Sequence, residues 1–476
     1  MAGCRVTVDT GGTFSDFVYF DEDSGALTVW KVPSTPHDPS EAVAAGIQHL
    51  LRQGVRREDI VFFSHGTTVG TNALLEQKGA RTGLLVTKGF RGVYEVQEQM
   101  RGYGPGAFDF WFGKPPLLAR QRDTFEVPER VGSQGEVLAP LDREAAHELV
   151  EAVAGFDLES LAVCLLFSFR NPEHERLLAS LLRERLPQVP VSISSEVLPQ
   201  IREYYRLSTT VINAYLRPVL SGYLGRLGER FQALGVNTKQ QYLMQSNGGV
   251  ASFALGAEQP VTTLLSGPAG GVIAGMTIGG LAGIRDLVTF DMGGTSCDVA
   301  LIKQGRPAIS TLSKIGGHDV AVPMLDINTV SAGGGTMARA EAAGGLARLR
   351  VGPESAGAKP GPACYGQGGR LPAITDADLL LGYLNPDNFL GGRLRLEPRL
   401  ARAAIEAHVA EPLGMDLLAA AEGIVRIIDV KMQEAVKAIS TRRGHDLRDF
   451  TLMAFGGAGP VHAGRIAREL GMKAVL

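Results

Sequence analysis

Apolar and polar residues alternate from Arg5 to Asp9, and runs rich in β-branched and aromatic residues follow over Phe17–Phe20 and Leu27–Val32. A glycine-rich turn follows the first run and Asp23-Ser24-Gly25 the second, so the pattern predicts a three-stranded meander. The period then changes. Asp38-Pro39-Ser40-Glu41 offers an N-cap, a proline at the first helical position and an early carboxylate, ahead of Val43, Ile47, Leu50 and Leu51 at helical spacing. Further strands are predicted at Ile60–Ser64, Thr82–Thr87 and Leu161–Phe167. Helices are predicted over Gly70–Lys78 and from the cap Asn171-Pro172-Glu173 to about Leu186. Strands alternating with helices imply α/β layers, and the first domain is expected to span residues 1–190.

From Glu196 to about Leu234 the spacing is helical, with breaks predicted at Pro199 and Pro218. A second strand-rich start follows at Asp286–Phe290. Residues 344–370 carry many glycines and prolines without a period and predict a long loop, whereas Leu400–Ile439 returns to helix. The second domain is expected over 200–476. Length agrees: single cores stop growing near ~250–300 residues, and this chain has 476, of which 45% are hydrophobic.

Charge and cysteine usage narrow the function classes. The formal net charge is -3, so no global positive field attracts nucleic acid or anionic lipid. A small-molecule ligand is the more natural partner, and homo-oligomerisation stays open. Cys4, Cys164, Cys297 and Cys364 stand far apart, without the spacing of a zinc knuckle, redox pair or disulfide framework. The opening MAGCRVTVDTGG lacks the apolar stretch of ~7–15 residues of a signal peptide, and no later run approaches ~18 apolar residues. The expectation is a soluble protein of the cytoplasm. Its 60 glycines exceed the usual share of ~7% and cluster in short loops.

The strongest internal signal is a repeat. VTVDTGGTFSDFVYF (Val6–Phe20) and VTFDMGGTSCDVALI (Val288–Ile302) share D-x-G-G-T-x-x-D in one register, pairing Asp9 with Asp291 and Asp16 with Asp298. Glycine lets backbone N–H groups approach a polyphosphate closely, and the threonine hydroxyl adds a donor. A bare carboxylate would repel phosphate, so Asp9 and Asp291 make sense as holding Mg²⁺, directly or through its waters. Two facing turns would then grip one nucleotide. The bland alternative is two tight hairpins with structural aspartates. A third element, Met453–Gly471, runs from a strand through Gly456-Gly457-Ala458-Gly459-Pro460 into a helix, an arrangement that can hold a ligand's polar edge.

Other positions are weighed individually. His65 ends a predicted strand and either polarises a substrate carbonyl or contacts phosphate, or is a hydrogen-bonded structural histidine. Asn72 either supports the same pocket or is an exposed helix residue. Ser266-Gly267-Pro268 makes either an anion-binding helix start or a plain cap. Gly333-Gly334-Gly335-Thr336 is a further candidate loop, with Asp326 and Asn328 before it as candidate orienting groups. His318 and Asp319 are adjacent on a strand, point to opposite faces and are discounted as metal ligands. Arg339, Glu354, Arg442 and Arg443 are read mainly as solvated or ion-paired, and Cys297 as a small buried side chain.

The order of two phosphate turns and a later glycine turn resembles the phosphate-1, phosphate-2 and adenosine motifs of the actin, Hsp70 and sugar-kinase superfamily. Longer stretches resemble the hydantoinase A/oxoprolinase family: Ser64–Arg91, Asn171–Glu175, Ser208–Leu220, Met244–Val250, Leu264–Val272, Asp326–Thr336, Val351–Gly366 and Phe455–Ala463. The resemblance spans nearly the whole chain. It implies an α/β fold of duplicated ribonuclease H-like (actin-like ATPase) domains with a central cleft. It further implies ATP and Mg²⁺ as cofactors, and an ATP-dependent amidohydrolase subunit that activates and opens a cyclic amide such as a hydantoin or 5-oxoproline, with a B-type partner subunit. A further C-terminal region beyond Leu476 is expected by the same resemblance. The first turn departs mildly, with Ser15 where relatives carry threonine. Expected catalytic groups are Asp9, Asp291 and His65, with Asp9 and Asp291 also the metal ligands. Expected nucleotide contacts are Gly11, Gly12, Thr13, Asp16, Gly267, Gly293, Gly294, Thr295, Gly334, Gly335, Gly456 and Gly457. Rival readings are the ATP-binding subunit of a bicarbonate-dependent ketone carboxylase, a sugar kinase, and a nucleotide-switched actin- or Hsp70-like binding protein.

Overall fold

The computed structural model describes residues 3–11, 14–35, 37–97, 108, 110–111, 113–343 and 346–476. Gly12 and Thr13 lie outside the described residues. The chain forms two compact units, one of residues 1–267 and 310–324, the other of 268–309 and 325–476.

In the first unit the predicted meander is present as strands Cys4–Thr10, Phe14–Asp21 and Leu27–Pro33. Its first strand runs parallel to Ile60–Thr67, which runs parallel to Gln240–Met244. The resulting order places three antiparallel strands beside two parallel ones, with Val250–Ser252 at the edge. Alternation decides the faces. Val6, Val8 and Phe17 turn inward against Ile47 and Leu50 of the helix Pro39–Arg52 and Tyr223 and Phe231 of the helix Glu203–Leu234. Asp38 caps the former as predicted, its Oδ1 accepting from Ser40 N at 3.2 Å and Ser40 Oγ at 2.7 Å. A second, wholly parallel sheet of Val191–Ile193, Ser160–Cys164, Thr82–Thr87 and Thr124–Val127 lies between two helical layers. Helices Arg143–Ala154 and Glu173–Arg185 supply one apolar set. Leu207, Val211 and Ala214 of the long helix supply the other.

That long helix corrects one expectation. It continues from Glu203 to Leu234 through Pro218, ending at Gly235 in the left-handed conformation with φ 70°. Proline costs it a hydrogen bond, but every residue from Arg206 to Leu216 is buried, and the same helix serves both sheets. The helix and strands Gln240–Met244 and Val250–Ser252 complete the first compact unit, which extends to Gly267.

The second unit repeats the topology. Strand Leu287–Met292 pairs antiparallel with Cys297–Lys303 and parallel with Thr451–Phe455, which pairs parallel with Ala474–Val475. Ile327–Val330 and Arg306–Pro307 flank the antiparallel side. Both units therefore carry the ribonuclease H-like order. The second unit's core helix, Leu417–Ile439, is capped by Asp416 and buries Ile424, Val425, Ile428, Met432 and Val436 beneath the sheet. The expected helix Leu400–Ile439 is divided at Gly414, whose φ of 61° ends the preceding turn. Part of the expected loop 344–370 is instead a hairpin of Thr336–Ala343 and Leu346–Ser355, in which Arg339 meets Glu354 at 3.0 Å. Among the described residues no helix is long and apolar enough to cross a membrane.

Candidate nucleotide site

The sequence repeat is a structural repeat. In the first unit Asp9 stands opposite Asp16, and Gly11 N–H donates to the Phe14 carbonyl at 3.0 Å. In the second, Asp291 stands opposite Asp298, and Gly293 N–H donates to the Ser296 carbonyl at 3.0 Å. Each turn thus closes the hairpin after a strand whose last carboxylate faces away from the helical core.

Asp9 lies against backbone. A Cβ on Gly66 would sit 2.8 Å from its Oδ1, and one on Gly267 3.7 Å away. The helix Ser266–Leu281 begins here, with Ser266 Oγ donating to the Thr67 carbonyl at 3.2 Å. Asp9 reaches solvent, yet its carboxyl is pushed up to about 6: the dense protein around it disfavours charge, Asp16 repels it, and Lys31 offsets part of the effect. Lys31 is held by Asp16 at 2.7 Å.

In the second unit the turn rests on a platform. Gly334 N–H donates to the Gly293 carbonyl at 3.0 Å and Gly335 N–H to the Gly294 carbonyl at 2.7 Å. Thr375 N–H and Oγ both donate to the Gly334 carbonyl, at 2.9 and 2.8 Å. The platform must be glycine, because a Cβ on Gly333 would meet Gly294 C and Thr295 N at 2.5 Å. Gly334 and Gly335 are buried with their N–H groups spent on the turn, which corrects their expected role as ligand contacts: they hold it from behind. Gly294 and Thr295 are the exposed members. From the other side comes Gly456, whose φ of 80° and position 2.4 Å (as a Cβ) from Asp291 Oδ1 also demand glycine. Gly456 and Gly457 are exposed, and Ala458 N–H donates to the Met292 carbonyl at 2.9 Å. Asp298 accepts from Thr329 Oγ1, and burial holds its carboxyl above the usual range.

Several candidates resolve otherwise. His65 is buried on the face opposite Asp9, its Nε2 2.6 Å from Tyr223 Oη and its Nδ1 3.3 Å from the Val8 carbonyl. Burial lowers its pKa to about 4, so it is a neutral core histidine without access to a ligand, a correction to its expected catalytic part. Asn72 is exposed, its amide donating to Thr68 Oγ1 at 3.3 Å. Asp326 pairs with Arg443, Arg442 with Glu434, and Asn328 Nδ2 donates to the Ala435 carbonyl at 3.1 Å. All four cysteines are free and buried.

Sequence reasoning missed Thr375, which carried no motif signal and reaches the loop only through folding. It also missed the buried group around His462, on the helix Gly459–Glu469 that follows the glycine turn. His462 Nδ1 lies 2.8 Å from Asp429 Oδ1 and its Nε2 3.5 Å from Asp378 Oδ2. Burial works against charge there, but the two carboxylates outweigh it and raise the imidazole to about 9. Asp376, two residues before Asp378, accepts from the N–H groups of Ala363, Cys364 and Ala373 at 3.1, 2.7 and 2.8 Å, tying the Gly-Pro-rich segment to the helix Ile374–Leu380.

Two ribonuclease H-like units, each with the same carboxylate-bearing glycine turn, define the class of actin-like ATPase folds. Comparison with known proteins narrows this. Residues 206–476 match the hydantoinase/oxoprolinase family and residues 5–186 its N-terminal region, and the chain belongs to that family. It is 39% identical to caprolactamase subunit alpha of Pseudomonas jessenii over 99% of this chain and 68% of that one. With 5-oxoprolinase 1 of Arabidopsis thaliana it shares 34% identity over 99% of its own length and 40% of the relative's. The crystal structure of ATP-dependent caprolactamase from Pseudomonas jessenii superposes with a TM-score of 0.88 at 38% identity, covering 99% of this chain and 68% of the other. Acetone carboxylase, in its nucleotide-free structure, gives 0.79 at 28% identity, covering 99% and 68%.

Proposed function

We propose that this chain is an ATP-dependent hydrolase subunit that activates and opens a cyclic amide or imide of the lactam, hydantoin or 5-oxoproline type. The observation that carries this reading is the repeated Asp-Gly-Gly turn, found in one register in both units of a chain that belongs to the hydantoinase/oxoprolinase family. An amide carbonyl is a poor electrophile. Moving the γ-phosphoryl group of ATP onto its oxygen releases ADP and creates a leaving group; attack by one water then breaks the ring C–N bond to leave the freed nitrogen and an acyl phosphate, and a second water releases phosphate and the carboxylate. Such transfer depends chiefly on positioning and on charge stabilisation. Gly294 and Thr295 are exposed and offer N–H groups suited to phosphate oxygens, as do Gly456 and Gly457 for the nucleoside edge. Asp9 and Asp291 fit Mg²⁺, which favours oxygen donors and uses one or two carboxylates. The ion supplies charge neutralisation of the phosphates when bound. Asp9 is exposed and lies against the glycines Gly66 and Gly267, where no Cβ crowds its Oδ1. Asp16 keeps Lys31 in place beside it.

The same reading includes a B-type partner subunit and a cytoplasmic setting, in keeping with four free cysteines. The likeness to acetone carboxylase supports a second reading, an ATP-binding carboxylase subunit. Calorimetric titration of Mg²⁺-ATP into the protein and into Asp9→Ala and Asp291→Ala tests the nucleotide site. Binding by the first and its loss in both folded variants is expected; unchanged affinity in either variant would remove its aspartate from the proposal. ATP turnover with a B-type subunit, stimulated by a cyclic amide rather than by bicarbonate and ketone, separates the two readings.

A further inference from the structure

A cavity of about 340 Å³ lies wholly within the first unit, away from the glycine turns. Its floor comes from the helix Glu203–Leu234, in the stretch Ser208–Leu220 that the nucleotide site leaves unexplained. Asn213 and Arg217, four residues apart, share one face of that helix and both line it. Asn213 is fully buried and satisfied: its amide donates to Ser192 Oγ at 3.1 Å and the Glu258 carbonyl at 3.0 Å, and accepts from Val261 N–H at 3.3 Å. It fixes the wall. Arg217 is half-buried, and one of its terminal nitrogens donates to the Val191 carbonyl at 2.7 Å, leaving further donors of its planar fork in the cavity.

The lining adds Arg183, Glu196 and Glu258. All three act electrostatically on Arg217, whose charge burial disfavours most. Two cations and two anions therefore line one concavity, Arg217 half-buried and the other three exposed. Such a lining is matched by a ligand carrying both signs: a carboxylate engages the Arg fork bidentately, while an ammonium on the same molecule meets the glutamates. A simple anion would meet the two glutamates unpaired.

We propose that this cavity is a second, non-catalytic binding site for a zwitterionic amino acid. Resting on the function proposed above and on a substrate of the lactam type, 5-oxoproline included, the ring-opened product is itself such a molecule, so the site would sense product.

The test is a titration of the full chain, without ATP, using 6-aminohexanoate and L-glutamate as probes and hexanoate and hexylamine as single-charge controls. Saturable binding of at least one zwitterion is expected, weakened about tenfold or more by Arg217→Met, since a charge-assisted bond contributes ~1.5–3 kcal/mol and each 1.4 is tenfold. Glu258→Gln, at an exposed position, should weaken it in the same direction. Binding that both variants leave unchanged, equal binding of hexanoate, or no binding of either zwitterion would overturn the proposal. Because the readout needs neither ATP nor ring opening, a failure of the hydrolase reading would leave this titration unaffected, and the reverse also holds.

Discussion

Substituting Gly333 by alanine tests how the second phosphate turn is held. The added Cβ would lie 2.5 Å from Gly294 C and Thr295 N, both backbone atoms that cannot swing aside. Overpacking of a tight site costs roughly 1–3 kcal/mol. Parting the two segments also lengthens the Gly334-to-Gly293 and Gly335-to-Gly294 hydrogen bonds, each contributing about 1 kcal/mol. The expected loss is about 2–5 kcal/mol, which for a unit of this size lowers its melting transition by roughly 5–15 °C. Gly294→Ala in the turn itself is the control, since a Cβ there meets nothing within 4 Å. It should melt near the parent protein yet bind nucleotide more weakly, because the methyl occupies the exposed side of the turn. Differential scanning fluorimetry with and without Mg²⁺-ATP reads both effects. A Gly333→Ala protein with the parent's melting temperature and nucleotide affinity would refute the platform argument.

His65→Ala should cost about 2–4 kcal/mol through a core cavity and an orphaned Tyr223 hydroxyl, with nucleotide affinity retained under conditions where the protein is folded. Denaturant titration paired with ATP binding checks this; loss of binding without loss of stability would return His65 to the site. The two buried histidines predict opposite pH effects. His65 has a folded pKa of about 4, below its unfolded value near 6.5, so its contribution is present above ~6.5 and is lost as pH falls towards 4. His462, raised to about 9, contributes fully below ~6.5 and loses that contribution as pH rises through 9. Stability measured from pH 6 to 9.5 should decline, and Asp429→Asn should flatten that decline; an unaltered alkaline limb would count against the His462 assignment. Asp376→Ala strands three buried N–H groups and should destabilise the second unit by about 3 kcal/mol or more, read by urea denaturation.

What the sequence by itself determined was local and periodic. Alternation located the first meander, the Asp38 cap located its helix, and the repeated D-x-G-G-T-x-x-D located two turns whose pairing and closing hydrogen bonds coincide. Those features depend on residues near one another in the chain, where turn geometry and side-chain period act directly. Tertiary structure decided the rest. Pro218 reads as a helix breaker, but burial against two sheets carries the helix through it. Gly334 and Gly335 read as ligand contacts, but their N–H groups face the carbonyls of Gly293 and Gly294, some forty residues earlier. His65 reads as a strand-end catalytic group, yet register turns it inward beneath Val8 while Asp9, one residue on, turns outward. In each case the outcome depends on which distant backbone or side chain arrives opposite, and a one-residue change of register would reverse it; no local pattern encodes that partner.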